Sequence, residues 1–287
     1  MKQKLNIAWD VPGNEAKLRR FQRYLRNKGV RPSTIESYVF RVNKYFDFCG
    51  DEEPSPEMAQ RYRDTLLDRN LSNSSVANYS FAIKSYHAML GQEIKFPHLK
   101  RNVIIPYFFT SSEVNQIFDQ IDNLKHLAMF KTAFYACLRA SELCNLDVED
   151  INLENLALVV RDGKGGKTSI CYLSEEAIEV LREYLSIRPD FEIEGRKPLF
   201  FTDYGARFDR KDIYRLAVYY KKKAGIKKPG GAHVLFRHTP ASLMIKNGCD
   251  LLTIQQVMRH NHITTTMRYL HLADDTRRTN YDKFLRL

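Results

Sequence analysis

Hydrophobic residues in the first hundred positions recur three and four residues apart, the spacing of amphipathic helices. Leu18, Phe21 and Leu25 show it first, and three more periodic segments follow before residue 91. The pattern predicts four helices, which form a small helical domain over residues 1–95.

Cap residues indicate where these helices begin and end. Gly29 and Gly91 each follow a periodic run, and glycine commonly ends helices. Ser33-Thr34-Ile35-Glu36 has the pattern of a capping box, so the second helix is predicted to start there. Ser55-Pro56 supplies an N-cap and an N1 proline for the third.

The helical period is lost between residues 96 and 108. Pro97 and Pro106 lie in this stretch, and Lys100 and Arg101 make it basic. We interpret it as an extended basic linker between two domains.

The second domain is predicted over residues 109–287, beginning with a capping box at Thr110–Glu113. Most of it has helical periodicity, but 156–160 and 168–173 are rich in β-branched and other strand-forming residues around a glycine-rich turn. These runs predict an antiparallel hairpin. The predicted fold class is mainly α: a helical N-terminal domain, then a mostly helical domain with a small antiparallel sheet. The helices expected before the hairpin lie near 111–122, 125–136 and 139–146.

The amino-acid composition indicates which binding partners the protein can have. The 287 residues are enough for two domains. The 45 basic residues against 34 acidic ones give a net charge of +11, so nucleic acid is the first candidate partner and an anionic membrane surface the second. No stretch approaches 18 uninterrupted apolar residues, and no secretory signal pattern is visible. We therefore expect a cytoplasmic protein without a membrane span.

Two other classes of site are disfavoured. The five cysteines are odd in number and form no C-x-x-C pair, which argues against a disulfide framework or a zinc ribbon. Gly166-Lys167-Thr168 resembles the end of a phosphate-binding loop, but Arg161 occupies the place of the required first glycine, and a strand follows instead of a helix. We expect no nucleotide cofactor. Taken alone, Lys164 is a solvated turn lysine.

Five short segments change this interpretation because of their order. They are Leu138–Leu146 (LRASELCNL), the turn 162–167, Leu235–Thr239 (LFRHT), Arg259-His260, and Thr264–Tyr269 (TTTMRY). In this order the chain resembles the tyrosine recombinase family of phage integrases and Xer-type chromosome resolvases. The resemblance covers nearly the whole chain, since the N-terminal helices resemble the core-binding domain of that family. Its most specific element is His260 followed nine residues later by Tyr269.

The chemistry of phosphodiester cleavage suits these residue types. Two guanidinium groups, Arg139 and Arg237, can hold the non-bridging oxygens where negative charge develops. Arg139 can also pair with Glu142 on its own helix face, and the two roles are compatible. The resemblance implies that Tyr269 is the nucleophile. A phosphotyrosine bond conserves the energy of the broken bond, so resealing needs no ATP.

The resemblance assigns the remaining roles. Lys164 becomes the general acid for the departing 5′-oxygen, Lys167 a phosphate contact, and His260 a hydrogen-bond donor to the scissile phosphate. His260, His262 and His271 have no carboxylate or cysteine at ligand spacing, so we expect no metal. The lack of a carboxylate cluster also argues against a two-metal nuclease.

The chain departs from the family at two positions. The family pattern is histidine, two residues, arginine, yet Val234 stands in the histidine position and His233 precedes it. A shift of one residue turns a side chain by about 100° on a regular helix. Thr239-Pro240 resembles a helix start, so we expect 233–237 to be a turn from which His233 still faces the site as base or phosphate ligand. Arg259 replaces a glycine common in the family and either contacts phosphate or reshapes the loop.

The sequence therefore predicts a site-specific recombinase that acts on double-stranded DNA, with the basic linker crossing the DNA backbone. By resemblance, four protomers act on two duplexes through a Holliday junction, and the segment 273–287 docks on a neighbour or packs on its own protomer. Two alternatives remain at this stage: a nicking and resealing enzyme of the type IB topoisomerase kind, and a DNA-binding relative with impaired catalysis.

Overall fold

The computed structural model describes residues 13–100, 107–161, 168–273 and 281–282. The chain divides into two compact units, Met1–Val103 and Ile104–Leu287. No helix in the described ranges is both long enough and apolar enough to cross a membrane.

The first unit contains the four predicted helices. They are α1 (Asn14–Asn27), α2 (Pro32–Cys49), α3 (Pro56–Asp68) and α4 (Asn73–Met89). Their apolar faces enclose Phe21, Phe46 and Tyr86, whose rings meet edge to face at centroid distances of 5.6 and 5.1 Å. Such pairs stabilise a core beyond the area they bury.

One predicted cap is wrong. Ser33 was expected as the N-cap of α2, but Arg31 is the N-cap, so the helix starts two residues earlier than expected, with Pro32 as its first residue. Proline suits the first helical turn because its fixed φ matches the helix and its missing N–H has no partner there anyway. The cap at Ser55 is confirmed, since its hydroxyl accepts from the N–H of Met58 at 3.2 Å.

The first part of the predicted linker packs on the first unit. Phe96 lies against the helical core with the Arg63 guanidinium 5.4 Å and the Lys84 ammonium 5.5 Å from its ring centroid. Arg63 also donates to the carbonyl oxygen of Pro97 at 2.8 Å, and Asn73 donates to that of Lys100 at 2.6 Å. These contacts fix residues 96–100, whereas 101–106 lie outside the described residues.

A buried polar network lies inside the first unit. His87 is fully buried, with Nδ1 2.6 Å from the Gln92 side-chain oxygen and Nε2 3.2 Å from the Tyr45 hydroxyl. An amide oxygen can only accept, so Nδ1 carries the hydrogen of a neutral ring. Burial lowers the pKa of His87 below its ordinary value of 6.5, although the bond to Gln92 acts in the opposite direction.

This network predicts acid sensitivity. A histidine whose pKa is lowered by folding binds fewer protons in the folded than in the unfolded state, so stability is lost as the pH falls below 6.5. Protonation of His87 should lower the free energy of unfolding of the wild-type protein by up to about 1.4 kcal/mol per pH unit. His87→Gln should remove this contribution to the pH dependence of stability. Circular dichroism melts between pH 7.5 and 5 measure it. The exposed His98→Gln control should keep the wild-type slope, and an identical slope for His87→Gln would contradict the prediction.

The second unit is mostly helical and contains a small sheet. Its helices are α5 (Ser111–Asp119), α6 (Leu124–Tyr135), α7 (Ala140–Cys144), α8 (Glu175–Ile187), α9 (Arg210–Lys223), α10 (Thr239–Lys246), α11 (Leu251–Val257) and α12 (Ile263–Thr266). The predicted capping box at Thr110 and Glu113 is confirmed at the start of α5.

Three strands form an antiparallel sheet in the order β1-β2-β3: β1 (Ile151–Asn152), β2 (Ala157–Val160) and β3 (Ser169–Tyr172). Ala157 pairs with Tyr172 and Val160 with Ser169, so the predicted hairpin is confirmed. Its turn, 162–167, lies outside the described residues. The predicted fold class, helices with a small antiparallel sheet, is therefore correct.

Candidate active site

The helix that carries Arg237 contains a π turn over Val234–His238. The N–H of Thr239 donates to the carbonyl of Val234, and the helical backbone continues on both sides of the turn. α10 begins at Thr239, as expected, but residues 233–237 are not a separate turn, because the π turn runs directly into α10. Pro240 lies one residue further and has no N–H to give to the carbonyl four residues back, which favours irregular bonding here.

The π turn explains how His233 lies in the cleft although it stands one residue before the histidine position of the family pattern. A π turn accommodates one residue more than an α turn, so the four-residue step from His233 to Arg237 resembles a three-residue step on a regular helix. His233 and Arg237 accordingly line the same cleft. His233 thus lies in the cleft despite Val234, as predicted from the sequence, but it does so through a π turn and not through a separate turn before the helix.

Arg237 is anchored deep in this cleft. Only 2% of the residue is exposed, and its two terminal nitrogens donate to the carbonyl oxygens of Cys137 at 2.5 Å and Met258 at 2.6 Å. Burial, reinforced by the nearby Arg139 and Arg259 charges, lowers the pKa of Arg237 to about 10. The guanidinium therefore stays charged at neutral pH, and its remaining donors keep a fixed direction.

Arg139 precedes α7 and contacts Glu142, as its spacing predicted. One terminal nitrogen pairs with the Glu142 carboxylate, while the Arg139 backbone N–H donates to the same carboxylate at 2.8 Å. Burial by itself would raise the pKa of Glu142, but Arg259, the Arg139 N–H and the Arg139 guanidinium together bring it below the ordinary 4.5. Glu142 is therefore ionised and fixes the direction of Arg139, which lines the same cleft as Arg237.

Arg259 points inward from a strained backbone. Its φ of 52° lies in the left-handed region, where glycine is favoured. One terminal nitrogen donates to Glu142 at 2.8 Å and to the Cys137 carbonyl at 2.9 Å. The other contacts the Cys171 sulfur and the carbonyl oxygens of Ala136 and Val257. The DNA contact predicted for Arg259 stays a prediction, while these bonds favour a role in positioning Glu142.

The contacts of Arg259 predict a graded loss of stability. Arg259→Ala should lower the free energy of unfolding by about 2 kcal/mol, because it leaves buried carbonyls unpaired and Glu142 with one guanidinium. Arg259→Gly should be destabilised by about 1 kcal/mol less, because glycine adopts the positive φ without cost. Urea unfolding measures both, with the exposed Arg215→Ala as control. Equal stability of the alanine and glycine variants would contradict the argument from backbone strain.

Tyr269 lies at the wall of the cleft, in the 3₁₀ segment Met267–Ala273. The residue is 3% exposed, and its hydroxyl lies 2.7 Å from Nδ1 of His238. Burial raises the pKa of Tyr269 to about 12, although Arg237 and Arg268 act to lower it. The phenol is therefore protonated at neutral pH.

His238 lies in the same cleft, although no role was predicted for it from the sequence. It follows Arg237 in the LFRHT segment, and adjacent residues on a regular helix diverge by about 100°. Burial, followed by His233, Arg268, Arg237 and His260, lowers the pKa of His238 to about 3. The signal in the sequence was a histidine next to an arginine already assigned to the site.

His260 and His233, which also line the cleft, are neutral as well. His260 holds Thr266 through Nδ1 at 2.9 Å, and burial followed by Arg237, Arg139 and Arg259 lowers its pKa to about 4. Burial and two of the same arginines lower the pKa of His233 as well. Neutral imidazoles add hydrogen-bonding groups without adding to the repulsion among the guanidinium groups.

The cleft has a volume of about 290 Å³ and is lined among others by Asn261, His262 and Thr265. Among the described residues, no carboxylate lines it. Fixed cations, neutral imidazoles and a phenol together suit an anionic phosphate ester beside a nucleophile. Lys164 and Lys167 lie outside the described residues. Within the described ranges, no three histidine, cysteine or acidic residues are grouped to hold a metal ion.

Comparison with known proteins agrees with this geometry. Residues 107–276 match the phage integrase family, and residues 18–93 match its N-terminal SAM-like domain. The chain is 30% identical to the tyrosine recombinase XerA of Pyrococcus horikoshii over 265 residues, covering 88% of this chain and 87% of that protein.

Solved structures give the same result for the fold. A crystal structure of XerA recombinase is 29% identical and superposes with a TM-score of 0.57, covering 95% of this chain and 99% of that one. The XerH site-specific recombinase in a pre-cleavage complex with its difH substrate is 19% identical with a TM-score of 0.74, covering 96% and 85% of the two chains. The chain therefore belongs to the phage integrase family and is a Xer-like tyrosine recombinase.

Proposed function

We propose that this protein is a site-specific recombinase that cleaves and rejoins double-stranded DNA through a 3′-phosphotyrosine bond at Tyr269, without metal or ATP. The observation that carries the proposal is the placement of the Tyr269 phenol in one cleft with the guanidinium groups of Arg139 and Arg237. Arg139 and Tyr269 are more than a hundred positions apart in the sequence, and the fold brings them together with Arg237.

The proposed reaction begins with a backbone phosphate in the cleft. Arg139 and Arg237 hold its non-bridging oxygens, and His233 and His260 add hydrogen bonds. The oxygen of Tyr269 forms a bond to phosphorus while the bond to the 5′-oxygen breaks. Lys164 gives a proton to that leaving oxygen, and Lys167 contacts a phosphate. The reverse sequence on a new 5′-hydroxyl rejoins the strands.

DNA binding follows from charge and from related structures. The net charge of +11 suits a polyanion, and XerH was solved in complex with its DNA substrate. We infer that this chain grips duplex DNA with both domains, 1–95 and 109–287, and with the basic segment between them. Neutralised phosphates release counterions, so affinity should fall steeply with salt. Four protomers on two duplexes would pass the strands through a Holliday junction.

A suicide substrate tests the proposal. Sites that the protein binds and cleaves are first selected from a random DNA library. The preferred site is then synthesised with a nick close to the cleavage position, so that the short fragment with the free 5′-hydroxyl diffuses away after cleavage. The expected product is a covalent protein–DNA adduct on a denaturing gel, with the modified peptide ending at or containing Tyr269. The proposal fails if the selected site is bound but never yields an adduct.

A plasmid assay separates recombination from simple nicking and resealing. Two selected sites on one supercoiled plasmid should yield deletion or inversion products. Relaxed plasmid without recombinants would instead indicate a topoisomerase-like activity. Plasmid that stays supercoiled would indicate a DNA-binding relative with impaired catalysis.

A further inference from the structure

The nucleophile predicted above has a partner that none of the assigned roles uses. His238 lies with Nδ1 2.7 Å from the Tyr269 hydroxyl, a normal hydrogen-bond length for this pair. His238 ends the π turn that also carries Arg237, so one irregular turn positions both a phosphate-binding group and a neighbour of the nucleophile.

The direction of this hydrogen bond depends on which ring nitrogen of His238 carries the hydrogen. Burial raises the pKa of Tyr269 to about 12 and lowers that of His238 to about 3. The phenol therefore keeps its hydrogen and the imidazole is neutral. In the tautomer with the ring hydrogen on Nε2, the phenol O–H donates to the lone pair of Nδ1, and only this tautomer gives the phenol a base.

We propose that His238 is a catalytic residue that takes the phenolic proton of Tyr269 as the phenol oxygen attacks the scissile phosphate, and returns it when the strand is rejoined. This inference rests on the proposed function. It assigns the proton that the nucleophile must lose, whereas Lys164 was assigned to the proton that the leaving 5′-oxygen gains.

Each bond that forms in this step is matched by one that breaks, and each proton has a donor and an acceptor. The phenolic proton moves to Nδ1, the Tyr269 oxygen forms a bond to phosphorus, and the bond between phosphorus and the 5′-oxygen breaks as that oxygen is protonated. Rejoining reverses each transfer: the 5′-hydroxyl attacks phosphorus, Tyr269 leaves, and Nδ1 gives its proton back to the phenol oxygen. No external reagent is consumed.

The other two assigned histidines of the cleft are less suited to this proton transfer. His260 uses Nδ1 for the Thr266 hydroxyl at 2.9 Å. His233 meets His238 through ring contact, with the centroids 4.5 Å apart and the planes nearly perpendicular. The ring contact restrains His238 from the side.

His238 is a weak base, so it can take the proton only if the transfer occurs during the attack on phosphorus and not before it. Charge on His238 is opposed by burial and by His233, Arg268, Arg237 and His260, so transfer before attack is unfavourable. A bound phosphate adds negative charge beside these cations and raises the histidine pKa. Proton transfer during attack also avoids a free phenolate, because the phenol oxygen shares its electrons with phosphorus as the proton leaves.

Substitution by asparagine separates a base from a mere hydrogen-bond acceptor. The side-chain oxygen of His238→Asn can occupy the place of Nδ1 and accept from Tyr269, yet it cannot take a proton. Single-turnover adduct formation on the suicide substrate at pH 7 should fall about 10²- to 10³-fold in this variant. DNA affinity should stay within about twofold, since no phosphate contact is removed.

The pH profile gives the second readout. The wild-type rate should be nearly independent of pH between 6.5 and 9, because the base is free throughout. The rate of His238→Asn should rise about tenfold per pH unit, because hydroxide replaces the lost base. A substrate with sulfur at the 5′ bridging position needs no acid for its leaving group, so it should rescue Lys164→Ala but leave His238→Asn slow.

The outcomes distinguish the two proposals. If wild-type protein forms no adduct, the proposed function itself fails. If wild-type protein forms the adduct and His238→Asn matches it in rate and in pH dependence, the assignment of His238 is overturned and the contact only orients the phenol. If the thermal transition of the asparagine variant is lost, the wild-type pH profile decides: a wild-type rate that rises about tenfold per pH unit between 6.5 and 9 would show that hydroxide, and not His238, takes the phenolic proton.

Discussion

Tyr269→Phe is expected to form no covalent adduct with the suicide substrate, a loss of more than about 10⁵-fold, while DNA affinity changes less than about twofold. The phenyl ring keeps the packing of Tyr269 against Ala241, Ile245 and Met258, so the fold of the cleft should persist. Only the oxygen that would bond to phosphorus is missing. Adducts are counted on denaturing gels, and affinity is measured by fluorescence anisotropy at one stated salt concentration.

The matched control for this loss is Tyr172→Phe. Tyr172 ends β3 and is 73% exposed, so removal of its hydroxyl should leave adduct formation unchanged. Tyr269→Phe should also lower the free energy of unfolding by about 1 kcal/mol, because Nδ1 of His238 loses its partner. An adduct of normal yield with the phenylalanine variant would show that another residue is the nucleophile.

Much of the fold could be predicted because local patterns and tertiary packing agree. The four helices of the first unit follow apolar periodicity, and the hairpin follows two strand-forming runs around glycines. The predictions that failed concern segments where a local signal competes with another local or tertiary preference. At α2, Pro32 fits the first turn and displaces the start from Ser33. In the segment after α4, Phe96 is held between two cations that only the folded unit brings near.

The site was partly predictable for a different reason. Arg139, Arg237, His260 and Tyr269 follow from motif order, and all line one cleft. The π turn could not be foreseen, because it depends on how the extra residue before Arg237 is absorbed. Its consequences, a reachable His233 and a His238 that meets Tyr269, were therefore outside what periodicity predicts. Arg259 was predicted to face DNA or reshape the loop, and its bonds to Glu142 and Cys137 depend on contacts more than a hundred residues apart in sequence.

Arg237 offers the second large effect. Its guanidinium has five donors, of which two terminal N–H groups are used by the carbonyl oxygens of Cys137 and Met258. No further bond of this guanidinium is found among the described residues, so its other donors are available to a phosphate in the cleft. Lysine keeps the charge but presents one ammonium group, which cannot bond both carbonyl oxygens and a phosphate oxygen in the same geometry.

Arg237→Lys should therefore slow adduct formation about 10³-fold, and Arg237→Ala more strongly still, since loss of one fixed donor to developing charge costs about 10²- to 10³-fold. Single-turnover rates at saturating DNA measure the chemical step and separate it from binding. Arg215→Lys, on the exposed face of α9, is the matched control and should react at the wild-type rate. Because Arg237 also pairs two buried carbonyls, urea unfolding must accompany the kinetics: Arg237→Lys should stay folded at the assay temperature. A folded Arg237→Lys variant that cleaves as fast as wild type would remove the fork of Arg237 from the mechanism and leave only its charge.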